Sequence, residues 1–153
     1  MAAQFATESG DNPLWHYVLD LYGRPGVKEQ MLTLQNDYGV DVLLVLSDHW
    51  LRSQSKSWPE EDALAAYIAW RDALVLPLRA LRVSLEKPSE PLRSQLLKSE
   101  LLAEQEGIRR LFAVLERAQG ERELLTLDAL WAYPQRGQKK EAVRPLLQQF
   151  RAL

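Results

Sequence analysis

Val40-Asp-Val-Leu-Leu-Val-Leu-Ser-Asp-His-Trp-Leu51 decides how this chain folds. Ten of its twelve residues suit the inside of a protein, and only Asp41 and Asp48 strongly require water or a partner. A short apolar run does not separate a buried strand from a buried helix. Here leucine outweighs β-branched residues, and the run continues past Ser47 into Trp50 and Leu51. No other stretch looks like a pairing strand, and a lone strand leaves its backbone groups without partners. The segment therefore reads as a helix. Gly39 suits the left-handed position that ends the helix before it, and Asp41 suits the N-cap. A helix apolar around most of its circumference is enclosed by neighbours.

The fold class that follows is all-α: a compact bundle of five to seven helices around a buried central helix near residues 41–54. Residues 1–11, small, polar and acidic, read as a disordered tail. Residues 12–153 read as one helical domain, with 12–87 its better-specified core and 92–153 its helical C-terminal part. Asp11 or Asn12 caps a first helix with Pro13 inside its start, and a second runs from Val27 to Tyr38. Ser57 and Glu60 make a capping-box pattern for a long helix reaching Lys87, which Pro77 should kink just upstream. Its seam runs from Leu64 through Val75 to Leu85. Leu92 to Ala118 carries Leu97, Leu101, Ile108, Leu111 and Leu115 at heptad-like spacing, with Glu104 as a charged defect. This seam suits an antiparallel hairpin with the long helix, or a dimer interface. Gly120 ends it. A short leucine-rich helix from Arg122 to Tyr133, a basic loop from Pro134 to Lys140 and a last helix weakened by Pro145 complete the chain, with looser packing after Gly120.

The 153 residues include 26% charged and 46% hydrophobic side chains, as in an ordinary globular protein. There is no cysteine, which excludes disulfides, thiolate nucleophiles and cysteine-ligated zinc. No apolar run has the length of a membrane span, and the N-terminus lacks signal-peptide features. A cytoplasmic location is expected. Residues 1–76 hold 5 Lys and Arg against 11 Asp and Glu, and residues 77–153 hold 14 against 10. The halves are thus set to attract one another within one fold, or to steer a partner. Nucleic acid is a poor match, because the basic residues are interleaved with acidic ones.

Leu14-Trp15, Leu21-Tyr22, Gly26-Val27, Leu34-Gln35, Gly39, Asp41-Val42 and Trp50-Leu51 stand in this order, followed by Trp70-Arg71 and Pro77-Leu78-Arg79 with Arg82. On these residues, over roughly Asn12 to Arg82, the chain resembles a domain-of-unknown-function family of short proteobacterial proteins. The resemblance implies a cytoplasmic, mostly helical bacterial protein. It brings no assigned activity and no catalytic residues.

No catalytic residue, metal site or cofactor is assigned from the residues themselves. The only histidines are His16 and His49. The paired Glu-x-x-His ligands of di-iron bundles are absent. Asp37 and Asp41 are separated by a helix end, and Ser47-Asp48-His49 would point in three directions on a helix, unlike a converging triad. Arg71, Arg79 and Arg82, with Asp41, Asp48 and His49, are the candidate ligand- or partner-binding residues. Half-buried arginines usually have carboxylate partners, and those expected are in the first half, such as Asp41 or Asp48. The functional expectation is a non-enzymatic protein-interaction or accessory module, its partner another protein or a second copy through Leu97, Leu101, Ile108, Leu111 and Leu115. The alternative is a small enzyme or metal- or ligand-binding protein with a polar pocket around His16, Asp20, Asp48, His49 and Arg71.

Overall fold

A computed structural model describes residues 12–133 and 140–152, and these form an all-α fold. The expected tail at residues 1–11 and most of the basic loop, residues 134–139, lie outside the described residues. Seven α-helical segments follow in order: α1 (Pro13–Tyr22), α2 (Val27–Tyr38), α3 (Val42–Ser53), α4 (Ala65–Trp70), α5 (Leu76–Ser84), α6 (Leu92–Leu115) and α7 (Val143–Arg151). A π-helical turn, Arg71–Val75, joins α4 and α5 into one rod.

The central helix is α3. Nine of its twelve residues are buried, and Leu44, Leu46 and Leu51 are sealed completely. Helices α1, α2 and α6 and a turn near Leu124 pack around it. Local chemistry sets its start. Gly39 adopts φ 68° and donates its N–H to Gln35 O, ending α2 in the left-handed conformation that glycine reaches without strain. Two residues on, the Asp41 carboxylate accepts from the Leu43 and Leu44 N–H groups. Asn12 caps α1 in the same way, accepting from Trp15 N at 3.0 Å.

Pro77 acts upstream, as its chemistry requires. It has no N–H to donate, and its ring presses on the preceding turn. The helix widens there: Leu76 donates to Arg71 O, five residues back, where an α-helix would reach four. Beyond this turn the rod leaves the core. No residue from 76 to 99 is buried, so α5 and the first two turns of α6 form a projecting hairpin. The expected seam of the long helix therefore divides. Leu64, Tyr67 and Val75 are buried, whereas Leu74 and Leu81 are exposed.

Four leucine-seam residues of α6, Leu101, Ile108, Leu111 and Leu115, are buried inside the chain itself. Helix α6 packs against α1, α3, α4, α5 and the π turn, and of the five seam residues Leu97 alone is exposed. Gly107 permits the close approach, since a Cβ there would sit 3.3 Å from the Tyr67 ring.

Three expectations are corrected between Ser57 and Trp131. Ser57 does not cap a helix; Ser57 and Trp58 form isolated antiparallel bridges with Gly120 and Arg122. Helix α6 ends at Leu115, and Gly120 serves the bridge instead, because a Cβ there would lie 2.0 Å from Trp58 O. Arg122–Tyr133 is not an α-helix but two 3-10 turns, Leu124–Thr126 and Asp128–Leu130. Leu124, Leu127 and Leu130 recur every three residues, the 3-10 period, and all three are fully buried. Packing after Gly120 is accordingly tight, with Val143, Leu147 and Phe150 of α7 also sealed. Pro145 lies in the first turn of α7, where its missing N–H has no intrahelical partner to lose.

The crowding at Gly120 gives a first expected result. The atoms nearest the added Cβ of Gly120→Ala are backbone atoms of Trp58 and Pro59, which cannot rotate away. The bridge must open, at a cost of about 1–3 kcal/mol. Urea denaturation measures it; a loss under a few tenths would mean that the 57–58 and 120–122 segments are not held together.

Candidate functional site

Three ionic clusters contain most of the charged residues singled out by sequence. The first stands at the start of α3. Asp41 Oδ1 caps the helix, while Oδ2 accepts from Tyr67 Oη at 2.7 Å and Arg71 Nη1 at 3.1 Å. The same Arg71 nitrogen donates to Ala129 O, and Arg71 Nε donates to Asp72 at 2.9 Å. Asp41 N donates to Leu130 O at 2.7 Å. Arg71 is placed by the widened turn, and its charge is firmly held: burial alone would lower its pKa, but Asp41 and Tyr67 raise it instead. Tyr67 is driven well above the usual phenol range by burial and then by the Asp41 charge.

The second cluster surrounds Asp48. Its Oδ1 accepts from Trp58 Nε1 at 2.9 Å, and Oδ2 from Arg52 at 3.0 Å and Arg151 at 3.2 Å. Helix α7 is thereby tied to α3. His49 lies nearby but turns elsewhere: its Nδ1 pairs with Tyr17 Oη at 2.7 Å, and its ring packs against Tyr17 and Phe150. Burial, then the Arg24 charge, lowers its pKa, which keeps the ring neutral. Ser47 is fully buried, and its Oγ makes no hydrogen bond among the described residues.

The residues of the imagined pocket are thus distributed among separate places. Arg71 belongs to the Asp41 cluster, Asp48 to the Arg52–Arg151 cluster, and Asp20 to an exposed pair with Arg24 at 3.1 Å. His16 is exposed on α1. Among the described residues no three His, Asp or Glu side chains come together as a metal ion would require.

The third cluster lines a cavity between α2, α5 and α6. Among the described residues, Arg79 and Arg82 do not pair with Asp41 or Asp48. They grip Glu100 from α6, Arg79 Nε at 3.0 Å and Arg82 Nε at 2.6 Å. Arg79 Nη1 also donates to Tyr133 Oη at 3.1 Å. Glu104, one turn further along α6, is buried and has Arg79 Nη2 at 3.8 Å. A cavity of about 360 Å³ opens beside these residues, and α2 supplies Lys28, Met31 and Leu32 to its wall. Its polar wall went unread because Glu104 looked like a seam defect and Glu100 was not singled out. The signal was their spacing of four against arginines three apart on the facing helix, which places both pairs on one contact.

Glu104 is the group in this cavity whose protonation responds to neutral pH. Burial is the largest cause, opposed by Arg79 and reinforced by Glu100, and its pKa is pushed up to about 7. The unfolded carboxyl titrates near 4.5. The folded chain therefore binds the extra proton between these values, and stability falls as pH rises through that window. Urea titrations at pH 5 and pH 8 check this. Glu104→Gln should be more stable than the parent at pH 8 and nearly equal at pH 5. A variant less stable at both would show the charged form to be the favoured one.

The family model described as Protein of unknown function (DUF2390) matches residues 13–111, from the start of α1 to the last turns of α6. No curated protein and no solved structure matches the chain. Among the described residues no helix is long and apolar enough to cross a membrane.

Proposed function

The chain belongs to the DUF2390 family, whose function is unknown, and we propose that it is a non-enzymatic, cytoplasmic interaction module that docks an acidic segment of another protein on its projecting hairpin. The observation that carries this reading is the state of α5. It is amphipathic, yet none of its residues is buried. Leu81, Val83 and Leu92 are more than half exposed. A helix stripe of this kind is stabilised by covering it. With Arg79 and Arg82 engaged by Glu100, residues 76–99 leave Lys87, Arg93 and Lys98 against Glu86 and Glu90, so the complementary cover is acidic. The Asp41 and Asp48 clusters, by contrast, are paired internally and brace the fold.

The test places a photocrosslinking residue at position 81 in the full-length protein, with position 144 on α7 as control. The expected result is a crosslink to an acidic protein from position 81 alone, lost at high salt and lost when Val83→Asp is added. Equal labelling from both positions, or a free monomer at low salt throughout, would sink the reading.

A further inference from the structure

We propose that the cavity between α2, α5 and α6 is a binding site for a carboxylate carried on an apolar group. This site is separate from the exposed face of the hairpin and stands whether or not that face docks a partner. The cavity holds about 360 Å³, within the range of small-ligand sites. One side is apolar: Met31, Leu32, Leu97 and Leu101 line it. Leu97 is the seam residue that no other helix covers, at 42% exposure. An aliphatic chain lying there would complete the stripe that Leu101, Ile108 and Leu115 continue into the core.

Hydrogen-bond accounting sets the sign of the ligand's charge. Arg82 gives Nε and Nη2 to Glu100, and its Nη1 makes no hydrogen bond among the described residues. Lys28, at the rim, makes no ion pair or hydrogen bond among the described residues. Glu100 has both oxygens occupied by the two arginines. Three cations, Lys28, Arg79 and Arg82, face two carboxylates, so the cavity carries a surplus of positive charge and of donors. A ligand carboxylate supplies the missing acceptors. Glu104 is the remaining polar group: its side chain is only 7% exposed and has no hydrogen-bond partner among the described residues. In its protonated form it donates to the ligand carboxylate and removes its own repulsion. Tyr22 and Gln35 add neutral polar edges.

Titration of the full-length, isotope-labelled protein tests this, following amide shifts at Leu32, Leu97 and Glu104. The probes are octanoate, octylamine, octanol and an acetylated, amidated Leu-Leu-Glu peptide. Octanoate or the peptide should bind, and the stronger of the two identifies the source as a free acid or an acidic side chain. Lys28→Gln breaks no ion pair or hydrogen bond among the described residues and Arg82→Gln leaves Arg79 on Glu100; each should weaken binding about tenfold, the scale of one charge-assisted hydrogen bond. Leu81→Gln, on the outer face of the hairpin, should leave binding unchanged. Binding should tighten from pH 8 to pH 6, and Glu104→Gln should abolish that trend. Octylamine or octanol binding as tightly as octanoate, no binding by any probe, or indifference to Lys28→Gln and Arg82→Gln would overturn the proposal.

Discussion

Asp41→Ala is expected to destabilise the chain by about 3–5 kcal/mol, because it leaves a buried guanidinium with only the exposed Asp72 as counter-charge. Four contacts end on this one carboxylate: two cap α3, one comes from Tyr67 and one from Arg71. Losing a cap alone costs about 1 kcal/mol. The larger share comes from Arg71, only 8% exposed at its side chain and held otherwise by Ala129 O and Asp72. For a chain of this size the melting temperature should fall on the order of 10 °C. Asp41→Asn separates the contributions, since an amide oxygen still caps the helix but carries no charge. A melting point for Asp41→Ala within a degree or two of the parent would show that water reaches Arg71.

Leu46→Ala ranks with it. Leu46 is fully buried on a helix enclosed on several sides, so the vacated space has few mobile atoms to collapse into it. The expected cost is about 2–5 kcal/mol. Urea denaturation should show a lower midpoint at an unchanged slope, the mark of altered stability without altered compactness. A cost below a fifth of that range would place α3 at the surface.

The parts of the fold legible in sequence were those set by local rules. Gly39, Asp41 and Pro77 act within a few residues of themselves, and each produced the helix end, cap and widened turn that its chemistry implies. The apolar run of α3 was equally plain, because enclosure needs apolar residues on every face. The hidden parts depend on neighbours distant in the chain. Two bridged residues at Ser57 and Trp58 leave no alternating pattern, and Gly120 looked like a helix stop because its real reason lies 62 residues earlier. Leu124, Leu127 and Leu130 were assigned to an α-helix although their period was three.

The site was half legible for the same reason. Arg79 and Arg82 stood out by charge, and arginine's need for a carboxylate was foreseen. The choice of carboxylate was not, since Glu100 and Asp41 are equivalent until the rod's direction is known. The expected pocket around His16, Asp20, Asp48, His49 and Arg71 needed side chains from α1, α3 and the π turn to converge, and they lie in separate places. On α3, Asp48 and His49 are adjacent residues about 100° apart around the axis. One meets α7 and Trp58, and the other meets Tyr17.

The bonds that Ala129 and Leu130 make with Arg71 and Asp41 bear on where this protein can be cut. The span shared with the family ends at residue 111, yet both carbonyls that complete the Asp41 cluster come from beyond it. A fragment reproducing only the shared span would carry a guanidinium and a helix start with acceptors missing, and a bare apolar wall where Leu124, Leu127 and Leu130 belong. The unit of folding is thus longer than the unit of recognisable kinship. A recombinant piece trimmed to that kinship should be recovered as an aggregate or a molten chain, so binding experiments belong on the whole polypeptide.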